Sequence, residues 1–176
     1  MRKQTRVSFG EGKHDSRGNL EYVHTDVWGL APVASLGGAR YYISFINDFS
    51  WKVWVYVMKA KSEAFARFKE WKALVENESG KTLKVLRSDN GGEYVSGEFL
   101  NFCKHHGIQR HFTTPKDPQS NGVAERMNRT LLEKARCLRL TSGLSKGFWA
   151  EALSTSVHII NQIMCSTFDK KIPEEM

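Results

Sequence analysis

Cysteine is scarce in this 176-residue chain, and Cys103, Cys137 and Cys165 stand far apart with no Cys-x-x-Cys pair among them. That spacing argues against a disulfide framework or a zinc knuckle and fits a reducing compartment. No apolar run approaches the roughly 18 residues that a membrane-spanning helix requires. The first residues, MRKQTRVSFGEGKHDSRGN, are basic and polar without an apolar centre, so they do not read as a secretory signal. Proline is limited to four positions, two of them within residues 113–121, and internal repeats and low-complexity tracts are lacking.

What remains is an ordinary globular composition. Apolar residues at 40% and aromatics at 11% suffice for the core of about one domain and argue against disorder. A net charge of +7 and a pI near 9.4 point to a polyanion, most simply nucleic acid, although charge of this size also serves solubility alone. Residues 1–19 read as a basic extended leader and 20–165 as the folded domain. Residues 166–176 read as the start of a downstream segment in a longer polyprotein.

The pattern along the domain alternates strands and helices. Residues 20–27 form a first strand carrying Asp26 at its far end, with Trp28-Gly29-Leu30-Ala31-Pro32 as the stop. The aromatic and β-branched runs YYISFI (41–46) and VWVYVM (53–58) make a hairpin through 47–50. Ser62 caps a helix whose apolar face is Ala64, Phe65, Phe68, Trp71 and Val75, and Gly80 ends it. A strand at 83–87 delivers Asp89 into Asn90-Gly91-Gly92. A helix at 96–106, a short strand at 108–112 and an exposed loop at 113–121 follow. The longest helix, 122–141, buries Ala124, Met127, Leu131, Ala135 and Leu138, and Ser145 caps a last one. The order β-β-β-α-β-α-β-α-α predicts an α/β protein, a mixed sheet with helices packed on it.

Three acids on three separate elements, Asp26, Asp89 and Glu125, suggest a divalent metal site. Phosphodiester chemistry needs charge neutralised on the non-bridging oxygens and a hydroxyl activated for in-line attack. Two Mg²⁺ or Mn²⁺ ions about 3.5–4 Å apart do both. Hard cations take carboxylate oxygens, so two Asp and one Glu without His or Cys suit them. Each acid also has a plainer use. Asp26 can accept a turn hydrogen bond, Asp89 can serve the Asp-Asn-Gly turn, and Glu125 can pair with Arg129 one turn on.

The words around the acids decide between these uses. HTDVWG, RSDNGGEY and PQSNGVAERMNRTL resemble the catalytic core of retrotransposon and retroviral integrases, most closely the copia-type retrotransposon integrases, and GFWAEA and KKIPEE resemble that family's downstream sequence. The resemblance runs from about residue 3 to the end. It implies a ribonuclease-H-like fold with a five-stranded mixed sheet flanked by helices. It also implies a DDE polynucleotidyl transferase, in which Asp26 bridges two Mg²⁺ or Mn²⁺ ions while Asp89 and Glu125 each complete one. The 3′-hydroxyl of the element's DNA would attack target DNA directly. Implied partners are DNA (element ends and target), a homodimer or higher multimer and other polyprotein products, with no membrane. The protein would be made in the cytoplasm and act in the nucleus.

Candidate DNA contacts are Arg126, Arg129, Arg136, Lys116, Asn90 and Asn121, with Arg139 on the same helix and residues 115–121 as a gate over the site. A solvated helix face serves Arg136 and Arg139 equally well, and a turn role serves the two asparagines. Trp51, Trp54, Trp71 and Trp149 read as core or interface. Two departures from the copia-type pattern stand out: Leu30 where a proline is usual, and Trp51 where an arginine is usual. The alternative reading is a catalytically silent DNA-binding remnant. A hydrolytic ribonuclease H shares the fold, but the NGxxER helix argues against it.

Overall fold

β-branched and aromatic residues dominate β2 (Tyr41–Asn47) and β3 (Val53–Met58), and with β1 (Tyr22–Gly29) and the shorter, more polar β4 (Val85–Ser88) and β5 (Gln109–Phe112) they make five strands. They form one sheet in the order β3-β2-β1-β4-β5. β2 runs antiparallel to both β1 and β3, while β4 lies parallel to β1 and β5 parallel to β4. This computed structural model describes residues 16–113, 122–163 and 172–173. The mixed five-stranded sheet agrees with the sequence expectation.

The twofold side-chain period of a strand divides the sheet into two unlike faces. On one, Val23, Ile43, Phe45, Met58 and Leu86 meet Phe68, Trp71 and Val75 of α1 (Ala64–Ser79). The same cluster takes in Tyr94 of α2 (Gly92–Val95), and Phe99 and Cys103 of α3 (Gly97–His105). Its centre is aromatic: Phe45 stacks on Trp71 with centroids 4.2 Å apart, and Phe68 stacks on Phe99 at 4.8 Å. On the other face, Tyr42, Ile46 and Val53 pack against Ala124, Met127, Leu131 and Ala135 of α4 (Gly122–Thr141), and against Ala152 and Leu153 of α5 (Trp149–Gln162). The Asn161 amide clamps α5 to β3 by bonding both the N–H and the C=O of Val53, at 2.9 and 2.8 Å.

Several local expectations change in detail. β1 begins at Tyr22 because Leu20 sits at φ 64°, outside strand geometry, and it runs past Asp26 to Gly29. Ser62 lies inside a 3₁₀ turn, Lys61–Glu63, and the Glu63 carboxylate accepts from the backbone N–H groups of Lys59 and Ala60 in its place. Ser145 precedes a second 3₁₀ turn, Lys146–Phe148, without a side-chain cap bond. Ser96 does cap α3, accepting from the Phe99 N–H. Gly80 and Gly107 take the left-handed conformation that closing α1 and α3 requires. Among the described residues no helix is long and apolar enough to cross a membrane.

Candidate active site

The parallel ladder between β1 and β4 pairs Tyr22 with Val85, Val23 with Leu86 and His24 with Arg87, and ends there. Continued by two residues, the same register sets Asp26 opposite Asp89. β4 stops at Ser88, while β1 stays paired with β2, where Asp26 faces Ser44. The alternation turns Asp26 toward the face covered by α4. Two carboxylates thus come from adjacent strands at the point where those strands part.

From α4, the Asn128 side-chain amide donates to Oδ2 of Asp26 at 2.9 Å. Asn128 is 3% exposed, and its Oδ1 has no hydrogen-bond partner among the described residues. Glu125 stands one helical turn earlier on the same side and is exposed. Burial pushes the Asp26 carboxyl above the usual carboxylate range. The Asn128 bond opposes that rise, and the charges of Asp89 and then Glu125 add to it. The three acids therefore share one electrostatic neighbourhood. Among the described residues, however, no three His, Cys, Asp or Glu side chains are gathered closely enough to grip an ion.

Asp89 has the turn role that its sequence allowed. Its Oδ1 accepts the N–H of Gly91 at 3.0 Å, turning the chain into α2. A Cβ at Gly91 would lie 2.9 Å from the Glu93 carboxyl and 3.0 Å from Asp89 Oδ1, so a larger residue there would displace the Glu93 carboxyl and crowd the Asp89 turn. The turn bond engages one carboxylate oxygen and leaves Oδ2 for another use. Asn90 also has a local role, donating to the C=O of Thr113 at 2.9 Å and tying the Asp89 turn to the end of β5.

The basic residues of α4 divide. Arg129 and Arg136 are exposed, and Glu125 and Arg129 do not make the surface pair that their spacing permits. Arg126 folds back over Gly122, where a Cβ would lie 2.7 Å from its guanidinium. Arg139 donates to the C=O of Leu144 at 3.0 Å and so closes the end of α4. Arg136 and Arg139 also rim an open cleft of about 430 Å³ floored by Trp28 and Trp149. Trp71 is fully buried and Trp54 packs edge-on against it, while Trp149 anchors α5 by donating to the C=O of Val33. Lys116, Asn121 and the expected gate at 115–121 lie outside the described residues.

The residue that sequence reading missed is Asn128. An asparagine on a charged amphipathic helix looks like solvated surface. The available signal was its place three residues after Glu125, which sets both side chains toward the end of β1.

The sequence matches the integrase core domain family over residues 17–118. The chain belongs to that family. Among its relatives are Retrovirus-related Pol polyproteins. It is 46% identical over 99% of its length to that of transposon TNT 1-94 from Nicotiana tabacum, and 34% and 32% identical over 93% to those of RE2 and RE1 from Arabidopsis thaliana. These similarities establish the copia-type likeness carried by HTDVWG and RSDNGGEY. The integrase core spans only 13% of the first polyprotein and 11% of the other two. Its fold is similar to that of a chain in the simian T-cell lymphotropic virus intasome bound to PP2A regulatory subunit B56 gamma. There the TM-score is 0.68 at 22% identity, covering 88% of this chain and 53% of that one. It is also similar to the HTLV-2 integrase catalytic core domain in complex with magnesium (trimeric form), with TM-score 0.64 at 18% identity, covering 88% of this chain and 94% of that one. The architecture is the ribonuclease-H-like fold of those cores.

Proposed function

We propose that this integrase core performs metal-dependent polynucleotidyl transfer, joining the 3′ ends of retrotransposon DNA to target DNA. The observation that carries the reading is the electrostatic neighbourhood of Asp26: a half-buried carboxyl, raised by desolvation and further by the charges of Asp89 and Glu125. Mutual repulsion of this kind is what a bound cation relieves. The donor set fits a hard divalent ion, with carboxylate oxygens and no sulfur or imidazole. Magnesium in the structure of the HTLV-2 core supports the same choice.

Asp26, Asp89 and Glu125 would hold Mg²⁺ or Mn²⁺ in a two-metal site. The ions supply charge neutralisation at the phosphodiester and activation of the attacking hydroxyl. Asn128 keeps Asp26 turned toward α4. Arg129 and Arg136, exposed on the same helix, contact DNA phosphates and give salt-dependent affinity without sequence preference. Arg126, Lys116, Asn90 and Asn121 complete the proposed DNA surface. In Arg126 and Asn90 the observed contacts are local, so these two act only after rearranging. The partners are element ends and target DNA, further copies of the chain and other products of the polyprotein. The place of action is the nucleus.

A disintegration assay tests this reading. Purified protein is incubated with a branched DNA substrate and Mn²⁺ or Mg²⁺, beside Asp26→Asn, Asp89→Asn and Glu125→Gln. The expected result is joined product that requires metal and all three acids. A folded, DNA-binding wild type without product would overturn it in favour of a silent DNA-binding module.

A further inference from the structure

We propose that Tyr94 is a positioning residue whose hydroxyl, bonded to Thr25, sets the separation of Asp26 and Asp89. The proposal rests on the reading of those two acids as metal-holding. The backbone ladder that would fix their spacing ends at His24 and Arg87, two residues short of them. The next connection across the gap is a side-chain bond, Thr25 Oγ1 to Tyr94 Oη at 3.0 Å. Thr25 adjoins Asp26 in β1 on the opposite face of the sheet. Tyr94 lies on α2, the single turn of helix that Asp89 leads into. The bond thus runs beneath the two carboxylates, from the strand carrying one to the helix following the other.

Both residues are fully buried, so the bond is shielded from competing water. Tyr94 is held from its other side as well. Arg110 of β5 donates to the C=O of Tyr94 at 3.3 Å and to Oγ of Ser88 at 2.8 Å, and the Ser88 hydroxyl donates to the C=O of Asp89. The Arg110 guanidinium also lies over the Tyr94 ring, and Phe99 meets that ring edge-on at 5.7 Å. A phenylalanine would fill the same space, so packing alone does not call for a hydroxyl. Tyr94 and Arg110 together form a brace that fixes the Asp89 turn relative to β1.

The test is Mn²⁺ binding followed by electron paramagnetic resonance on the whole chain, with melting temperature measured in parallel. Tyr94→Phe and Thr25→Val are each expected to weaken Mn²⁺ binding by about fivefold to tenfold, the scale of one buried hydrogen bond. Thr25→Ser, which keeps the hydroxyl, retains wild-type binding. The Tyr94→Phe and Thr25→Val double variant is no weaker than either single change, because both remove the same bond. In the disintegration assay, Tyr94→Phe needs more metal but approaches the wild-type rate at saturation. Wild-type Mn²⁺ affinity in Tyr94→Phe, even with a lowered melting temperature, would overturn the brace and leave only a packing role. Asp89→Asn separates the two readings. If it too binds Mn²⁺ like wild type, or wild type binds none, the metal-site reading fails and the brace with it.

Discussion

The two faces of the sheet are built from the same five strands and spend their residues differently. The face under α1 and α3 is nearly all apolar, its rings stacked at 4.2 and 4.8 Å about Phe45, Trp71, Phe68 and Phe99. The face under α4 bonds the buried Asn128 to the half-buried Asp26 and admits a carboxyl raised by partial desolvation and by two neighbouring charges. Close packing supports folding, whereas crowded like charge opposes it until something positive arrives. One face supplies the stability that the other consumes. Tyr94 links them through β1, since it belongs to the aromatic cluster by its ring and its hydroxyl holds Thr25, the strand neighbour of Asp26.

Substitutions can break this division in either direction. The largest effect is expected at the acids: Asp89→Asn or Glu125→Gln should lower DNA joining by at least about a hundredfold, the scale on which losing one key electrostatic group acts. Both proteins should still melt near the wild-type temperature. On the opposite face, Trp71→Ala should destabilise the fold by about 3–5 kcal/mol, as expected for a fully buried indole. Denaturant unfolding would measure it, and activity should fall only as far as the folded fraction does.

Asp26→Asn sharpens the contrast, because it should remove activity while raising stability. In the folded chain Asp26 keeps its proton to higher pH than an ordinary carboxyl. The folded state therefore binds more protons than the unfolded state between the two pKa values, and wild-type stability falls as pH rises through that interval. Asparagine does not ionise. The variant's advantage in melting temperature should thus grow as pH rises from the ordinary carboxylate range, and then level off. The smallest effect is expected at Arg136. Changing it to alanine should leave folding intact and reduce the slope of log DNA affinity against log salt by about 0.9, one phosphate contact.

Most of the fold was legible because strands and helices here follow their hydrophobic periods. YYISFI and VWVYVM are rich in strand-forming residues, and α4 shows its buried stripe at three- and four-residue steps as far as Ala135, beyond which Leu138 is only half-buried. What was not legible depends on contacts between distant residues. The sequence expectation starts the next helix only at residue 96, yet Gly92–Val95 is already a turn of helix. Its Tyr94 ring fills the core and its hydroxyl meets Thr25, 69 positions away. Asn128 was hidden similarly, since its partner Asp26 is 102 positions distant. The acids were singled out because their neighbouring words resemble a family. Their dull uses were legible too, and Asp89 shows that a turn role and a candidate ligand role can coexist in one side chain. The caps at Ser62 and Ser145 failed because each helix opens through a 3₁₀ turn that shifts its first donors.

The central claim, that Asp26, Asp89 and Glu125 together make a cation site, is tested most directly by thermal melting with and without Mn²⁺. A ligand that binds only the folded state raises the melting temperature by mass action. Wild type should melt higher as Mn²⁺ is added, while Asp26→Asn, Asp89→Asn and Glu125→Gln should lose most of that rise. Equal shifts in wild type and all three variants, or no shift in wild type, would contradict the account.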